Sequence, residues 1–205
     1  MGFFGLKLFV NLSLFLGNIK STDDISSSTG NVYLLPPTLN PFYEATNSAT
    51  IQISGNAVKG GQTIEIYLNG DYKTKAFSDN NGQFTISDFR LENGANRIKA
   101  RTKDGDKQSA FTQEVTVVFD TTPPALEIKE PTDGQVVKKT PQVRITGKTD
   151  VDATILINDF LPIVDSNGNI SYTMPLKEGE NSIKIVAKDK ASNQTTNQLK
   201  VIFEP

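Results

Sequence analysis

The chain has 205 residues, enough for one large domain or two small ones, and a formal net charge of −2. That balance gives no strong basic field, so no nucleic-acid partner is expected. The sequence holds no His, no Cys and no Trp, which excludes Ser-His-Asp and Cys-His triads, imidazole or thiolate zinc sites, and disulfides.

Residues 1–20, MGFFGLKLFVNLSLFLGNIK, are an almost unbroken apolar run interrupted by Lys7, Asn11, Ser13 and Asn18. Gly2 to Ile19 is about the shortest stretch that crosses a bilayer as a helix. Lys7 would cost ~2.5–3.5 kcal/mol at the bilayer centre and less near an end, where it can snorkel. The expected element is a membrane-anchor helix, with the membrane as a partner, single-pass, and the rest of the chain extracytoplasmic. A cleaved signal peptide and a buried amphipathic helix are the rival readings. The first lacks its basic n-region and its small-x-small site, and small β-domains offer no obvious groove for the second. Residues 21–31, STDDISSSTGN, are small and polar and read as a flexible linker.

From residue 32 onward Val, Ile, Thr, Asn, Gly and Asp dominate, in short alternating runs divided by turn residues, the composition of an all-β protein. VYLLPPTLNPF (32–42) is kept extended by its prolines and suits an edge strand. Ile64, Ile66 and Leu68 alternate with Glu65 and Tyr67, and Ile98, Ala100 and Thr102 alternate with Lys99, Arg101 and Lys103. Half-buried antiparallel strands give this pattern. Asn-Gly at 69–70 and DNNG at 79–82 supply hairpin turns. In DTTPPALEI (120–128), Pro123 and Pro124 fix φ and restrict Thr122, so a short, stiff joint and an extended rod are expected. Past the joint Ile183, Ile185 and Ala187 again face in, with Lys184 and Lys188 facing out.

The chain repeats itself. RLENGANRIKARTKD (90–104) aligns with PLKEGENSIKIVAKD (175–189), matching Leu91, Gly94, Asn96, Ile98, Lys99, Lys103 and Asp104 to Leu176, Gly179, Asn181, Ile183, Lys184, Lys188 and Asp189. IQISG (51–55) pairs with VRITG (143–147), IYLNG (66–70) with ILIND (155–159), DNNGQFTI (79–86) with DSNGNISY (165–172), and VTVVF (115–119) with LKVIF (199–203). Roughly seven short strands per copy, with no room for helices, imply two β-sandwiches, at residues 32–122 and 123–205.

Residues 158–203 carry an Asp-x-x-Gly turn (Asp165, Gly168), Leu-x-x-Gly-x-Asn (Leu176, Gly179, Asn181) and an Asp-x-x-x-Asn loop (Asp189, Asn193), after the paired aliphatics Ile155 and Ile157 and Asn158. In these residues the sequence resembles bacterial immunoglobulin-like modules of the glucodextranase B-domain type, in tandem. Asp159 stands where such modules usually have Gly, which predicts a different turn there, and the first copy reads DGDKQ (104–108) and loses the final Asn. The resemblance, over roughly residues 40–205, implies two tandem immunoglobulin-like β-sandwiches. With the N-terminal hydrophobic helix read from hydropathy, the expected fold class is all-β, two such sandwiches preceded by that helix. The resemblance also implies a non-catalytic spacer, adhesive or protein-interaction element of the bacterial envelope. The alternative is a carbohydrate-binding accessory pair serving a glycosidase or wall hydrolase.

No catalytic, cofactor or metal residue is assigned. Resemblance to calcium-stiffened bacterial immunoglobulin-like arrays points to Asp104, Asp106 and Asp120 as Ca²⁺ ligands, but Asp is an ordinary turn residue and EF-hand spacing is absent. Arg97, Lys99, Arg101 and Lys103 form a basic stripe that either meets an anionic wall polymer or membrane, or solvates an outer face and blocks edge pairing. Phe160, Leu161 and Pro162 form either a contact patch or a cover on the sandwich end. Tyr67 and Tyr72 are the only candidate sugar-stacking faces, against ordinary cross-strand packing. Every Asp and Glu is expected in a turn or at an outward strand position, leaving no cleft for carboxylate-pair catalysis. The expected partners are the membrane, a cell-surface protein or wall polysaccharide.

Overall fold

The computed structural model describes residues 33–205. In its first half β1 (Thr38–Leu39), β3 (Thr50–Asn56) and β6 (Gln83–Arg90) lie side by side in that order. Facing them is a larger sheet ordered as β2 (Ala45–Thr46), β9 (Val115–Phe119), β7 (Gly94–Asp104), β4 (Thr63–Leu68) and β5 (Asp71–Phe77), with β8 (Lys107–Gln108) paired to β7. The second half repeats this plan. One sheet runs β10 (Leu126–Glu130), β12 (Gln142–Thr149), β14 (Asn169–Pro175), and the other β11 (Gln135–Lys138), β16 (Gln194–Glu204), β15 (Gly179–Lys188), β13 (Thr154–Ile157). Pairing is antiparallel except for β2 on β9 and β11 on β16, which are parallel in both copies.

Period-two alternation builds two separate cores. Ile53, Ile64, Ile66, Leu68, Ile98 and Val117 fill the first, and Ile145, Ile155, Ile157, Ile183, Ile185 and Val201 the second, all of them almost wholly buried. No residue belongs to both clusters. Each fully buried Ile or Leu contributes about 1.5–3 kcal/mol of apolar burial.

The repeated polar residues hold turns. Asn96 Oδ1 accepts from the Glu92 N–H at 2.7 Å while its Nδ2 donates to the carbonyls of Glu92 (2.7 Å) and Gly94 (2.8 Å). Asn181 does the same with Lys177 and Gly179, at 2.8, 2.7 and 3.0 Å. Asp79 Oδ1 accepts from Asn81 and Gln83, and Asp165 Oδ1 from Asn167 and Asn169. The hydrogen bond from the Asn169 side chain, with the backbone donors, holds the Asp165 carboxyl below its usual pKa. Gly168 has φ +80°, and a Cβ there would lie 2.1 Å from the Thr149 carbonyl oxygen, so only glycine closes this turn.

The copies differ after β4 and its counterpart β13. Asn69 and Gly70 have φ of 54° and 97°, the two positive angles of a type I′ turn, and β5 follows in register, Leu68 opposite Asp71. In the second copy Asn158 is left-handed (φ 40°), but Asp159 is not among the positive-φ residues. No strand equivalent to β5 forms there. Only a single bridge, Ile157 to Phe160, remains. The turn itself still closes, with Ile157 and Phe160 exchanging two hydrogen bonds, but the segment that follows is shorter than in the first copy and carries Pro162, which cannot donate to a ladder.

At the joint the Asp120 N–H donates to the Thr46 carbonyl of the first sandwich, at 3.0 Å. Its own carbonyl accepts from Asn193 Nδ2 of the second at 2.8 Å, and Thr195 Oγ1 donates to the Pro124 carbonyl.

One part of the expected fold class is corrected. The described residues form strands and no helix, and none of their segments is a helix long and apolar enough to cross a membrane. The reason is local. From residue 33 on, apolar residues rich in Ile and Val alternate with polar ones at period two, and prolines and glycines break the runs, a pattern that supports strands. The helix expected at 1–20 and the linker at 21–31 lie outside the described residues, as does the membrane contact assigned to that helix.

Candidate functional site on the outer face of the first sandwich

Strands β5, β4 and β7 present their outward residues as a grid. Cross-strand register sets Thr63 between Phe77 and Lys103, Glu65 between Lys75 and Arg101, and Tyr67 between Tyr72 and Lys99. Phe111 reaches the same face from the segment after β8. That segment is held along β7 by hydrogen bonds from Thr112 N–H to the Ala100 carbonyl (2.8 Å) and from Ala100 N–H to Thr112 Oγ1 (3.0 Å).

The centre of the grid is rigid. Arg101 Nε donates to Glu65 Oε2 at 2.8 Å, Tyr67 Oη donates to the same oxygen at 3.2 Å, and Arg101 Nη2 donates to Tyr67 Oη. Lys103 Nζ stands 3.7 Å from Glu65 Oε1. The Arg101 guanidinium lies 5.0 Å from the Tyr67 ring centre and 5.2 Å from that of Phe111. Edge-to-face contacts link Tyr67 to Phe111 (4.9 Å) and to Tyr72 (5.8 Å). Around this floor Lys99 Nζ sits 4.4 Å over the Phe111 ring and Lys75 Nζ 5.4 Å over Phe77. Neither lysine has a carboxylate partner among the described residues. Tyr72 is 51% and Phe77 64% exposed.

Glu65 lies at an outward strand position, as expected of the carboxylates outside turns. Only 9% of it is accessible, however, because Arg101, Tyr67 and Lys103 cover it. Burial by itself would raise its pKa. The hydrogen bonds from Arg101 and Tyr67, with the Arg101 and Lys103 charges, outweigh that and leave it lowered. Burial and the Glu65 carboxylate push the Tyr67 phenol up. A carboxyl held ionised and fully paired is poorly suited to donate a proton as a general acid, which needs a raised pKa.

The basic stripe is partly neutralised rather than free. Arg97 lies 3.8 Å from Glu114, and Arg101 and Lys103 share Glu65. Tyr67 is packed into the floor, while Tyr72 keeps an open face. Phe111 escaped notice in the sequence because a lone aromatic in an irregular stretch has no period to betray it.

The other candidates fall elsewhere. Asp104 and Asp106 are exposed in the β7–β8 hairpin, and Asp120 Oδ1 accepts from the Thr122 N–H at 2.8 Å. No group of three or more Asp or Glu able to hold a metal ion occurs among the described residues. Phe160 and Leu161 remain 59% and 67% exposed, joined by Ile163 at 87%, and Phe160 stacks on Tyr172 at 6.0 Å. A polar hollow of about 230 Å³ lies over Asn40, Gln52, Ser54 and Gln83 on the opposite sheet. An apolar one of about 310 Å³ is lined by Pro41, Phe42, Tyr43 and Ile51.

Residues 124–204 match the family described as glucodextranase, domain B, so the second sandwich is an immunoglobulin-like module of that type. A 157-residue region, 75% of this chain, is 31% identical to a part of Bacillopeptidase F of Bacillus subtilis (strain 168), covering 10% of that protein. Over 116 residues, 50% of the chain, it is 28% identical to the PI-type proteinase of Lactococcus lactis subsp. cremoris, covering 6% of it. The chain therefore spans a tenth or less of the length of these relatives. Among solved structures it is similar to the fibronectin(III)-like modules of Clostridium thermocellum CbhA, with a TM-score of 0.58 at 16% identity, covering 82% of this chain and 94% of that one. A titin I-band fragment gives 0.51 at 10% identity, covering 83% and 66%. Such likenesses show the fold alone.

Proposed function

We propose that the chain is a non-catalytic accessory pair working outside the cytoplasm, in which the repeat supplies a scaffold and one sheet face of the first sandwich makes the contact. The observation that carries this proposal is how the shared side chains are used. Asn96 and Asn181, and Asp79 and Asp165, are consumed by their own turns. Of the outward residues, Lys99 and Lys103 recur as Lys184 and Lys188, but Tyr67, Arg101 and Arg97 are replaced by Leu156, Val186 and Ser182. A ligand held alike by both copies would keep those outward positions matched, since packing constrains only the core. The partner is then wall polysaccharide or a surface protein met by the first copy. The similarity to segments of much longer peptidases, and to domain B of a glucodextranase, supports an accessory role.

We place both sandwiches on the outer side of the membrane, with the apolar run at residues 2–19 holding the chain to the envelope. Intact cells treated with a membrane-impermeant amine reagent should label the exposed lysines of the chain. Labelling only after lysis would refute the outward placement. An alkaline carbonate wash followed by N-terminal sequencing reads the attachment separately. A soluble chain beginning between residues 18 and 32 would show that the run is removed.

A further inference from the structure

We infer that the β5–β4–β7 face of the first sandwich binds an anionic polysaccharide whose sugar rings carry carboxylates. This rests on the accessory role proposed above and names the chemistry of its partner. The chain as a whole is slightly acidic, yet this face sets Lys75, Arg97, Lys99, Arg101 and Lys103 against Glu65 and Glu114 alone, an excess of three positive charges. Electrostatic complementarity therefore selects a polyanion.

The division of labour within the face narrows the class. Glu65, Tyr67, Arg101 and Phe111 are bound to one another and form the floor. The groups left to work are Lys75 and Lys99, which have no carboxylate partner, and Lys103, which lies at the rim 3.7 Å from Glu65, with the exposed rings of Tyr72 and Phe77. Outward residues two apart on a strand are ~6.6–6.8 Å apart and neighbouring strands ~4.7–4.9 Å, so these ammonium groups and rings alternate over a flat surface at spacings close to the size of a sugar ring. A polyol phosphate would use the lysines and leave the rings idle. A neutral glycan would use the rings and leave the lysines unpaired. A uronic-acid chain uses both, the carboxylates meeting lysine and the C–H faces meeting Tyr72 and Phe77. The second copy has no such face. It lacks β5 altogether and pairs Leu156 with Val186 where the first copy pairs Tyr67 with Lys99 and Glu65 with Arg101.

The test is retention of the full chain on immobilised polygalacturonate, with fully methyl-esterified polygalacturonate, dextran and poly(glycerol phosphate) as parallel arms. Polygalacturonate should retain the chain, and raising salt from about 50 to about 500 mM should weaken retention at least ~tenfold. Changing Lys75→Ser, Lys99→Ser and Lys103→Ser together should abolish retention with the thermal transition unchanged. Tyr72→Ala with Phe77→Ala should weaken retention by about tenfold, while Lys184→Ser with Lys188→Ser on the second copy should leave it intact. Equal retention on the methyl ester or dextran would overturn the assignment, as would equal or tighter retention on poly(glycerol phosphate). Full retention by the triple lysine variant, or no retention on polygalacturonate, would do the same. If the chain is labelled on intact cells and still ignores polygalacturonate, the ligand alone is wrong. If it is not labelled, the accessory role outside the cell fails as well.

Discussion

Asn96 and Asn181 are each the last residue of a Leu-x-x-Gly-x-Asn stretch, and each satisfies one backbone N–H and two carbonyls of the turn before it. No other side chain of that size offers an acceptor and two donors in one plane. Asn96 is wholly inaccessible and Asn181 half-buried, so water can take over some of the lost bonds only at the second. Asn181→Ala should therefore cost about 2–3 kcal/mol and Asn96→Ala about 3–4 kcal/mol, each bond being worth ~0.5–1.5 kcal/mol net and more where a buried group is orphaned. Urea unfolding followed by circular dichroism measures both. Equal losses at the two sites would mean that burial does not set the cost.

The edge strand β5 starts from a single turn. Gly70 at φ 97° completes the turn that sends β5 back along β4, whereas in the second copy the chain after Asp159 is shorter, carries Pro162 and makes only an isolated bridge. Gly70→Asp should cost about 1–2 kcal/mol, the penalty for an L-residue in a left-handed conformation. Its larger effect should be local. Hydrogen exchange should show the amides of Asp71–Phe77 losing protection while β7 and β9 keep theirs. Unchanged protection of β5 would mean that side-chain packing, not the turn, holds the strand. The outer face depends on this element, because Tyr72, Lys75 and Phe77 all belong to it. Its polar centre does not, since Glu65 and Arg101 sit on β4 and β7.

Two separate hydrophobic clusters suggest that the second sandwich folds by itself. The joint nevertheless matters to it, because Asn193 and Thr195 donate to the carbonyls of Asp120 and Pro124. A fragment of residues 120–205 and one of residues 125–205 should both give strand-type circular dichroism and a cooperative thermal transition. The longer should be more stable by about 1–3 kcal/mol, the worth of two partly buried hydrogen bonds. An aggregated or non-cooperative longer fragment would show that the two copies depend on one another.

Much of this architecture is legible in the sequence because it rests on local rules. Alternation at Ile64, Ile66 and Leu68 assigns faces without knowledge of partners, and Asn-Gly against Asn-Asp foretells the different turns at 69–70 and 158–159. The repeat marks the two sandwiches because identical cores accept little change in volume. The apolar alternation likewise names the outward positions, Arg101 and Tyr67 among them. What it could not supply is which outward groups meet. Glu65 and Arg101 are 36 residues apart and Phe111 comes from an irregular segment. Pairing across strands, and the burial that follows from it, turns an acid at an outward position into the closed centre of the face. Strand register is a long-range property, set when two sheets close over a common core, and only the folded chain contains it.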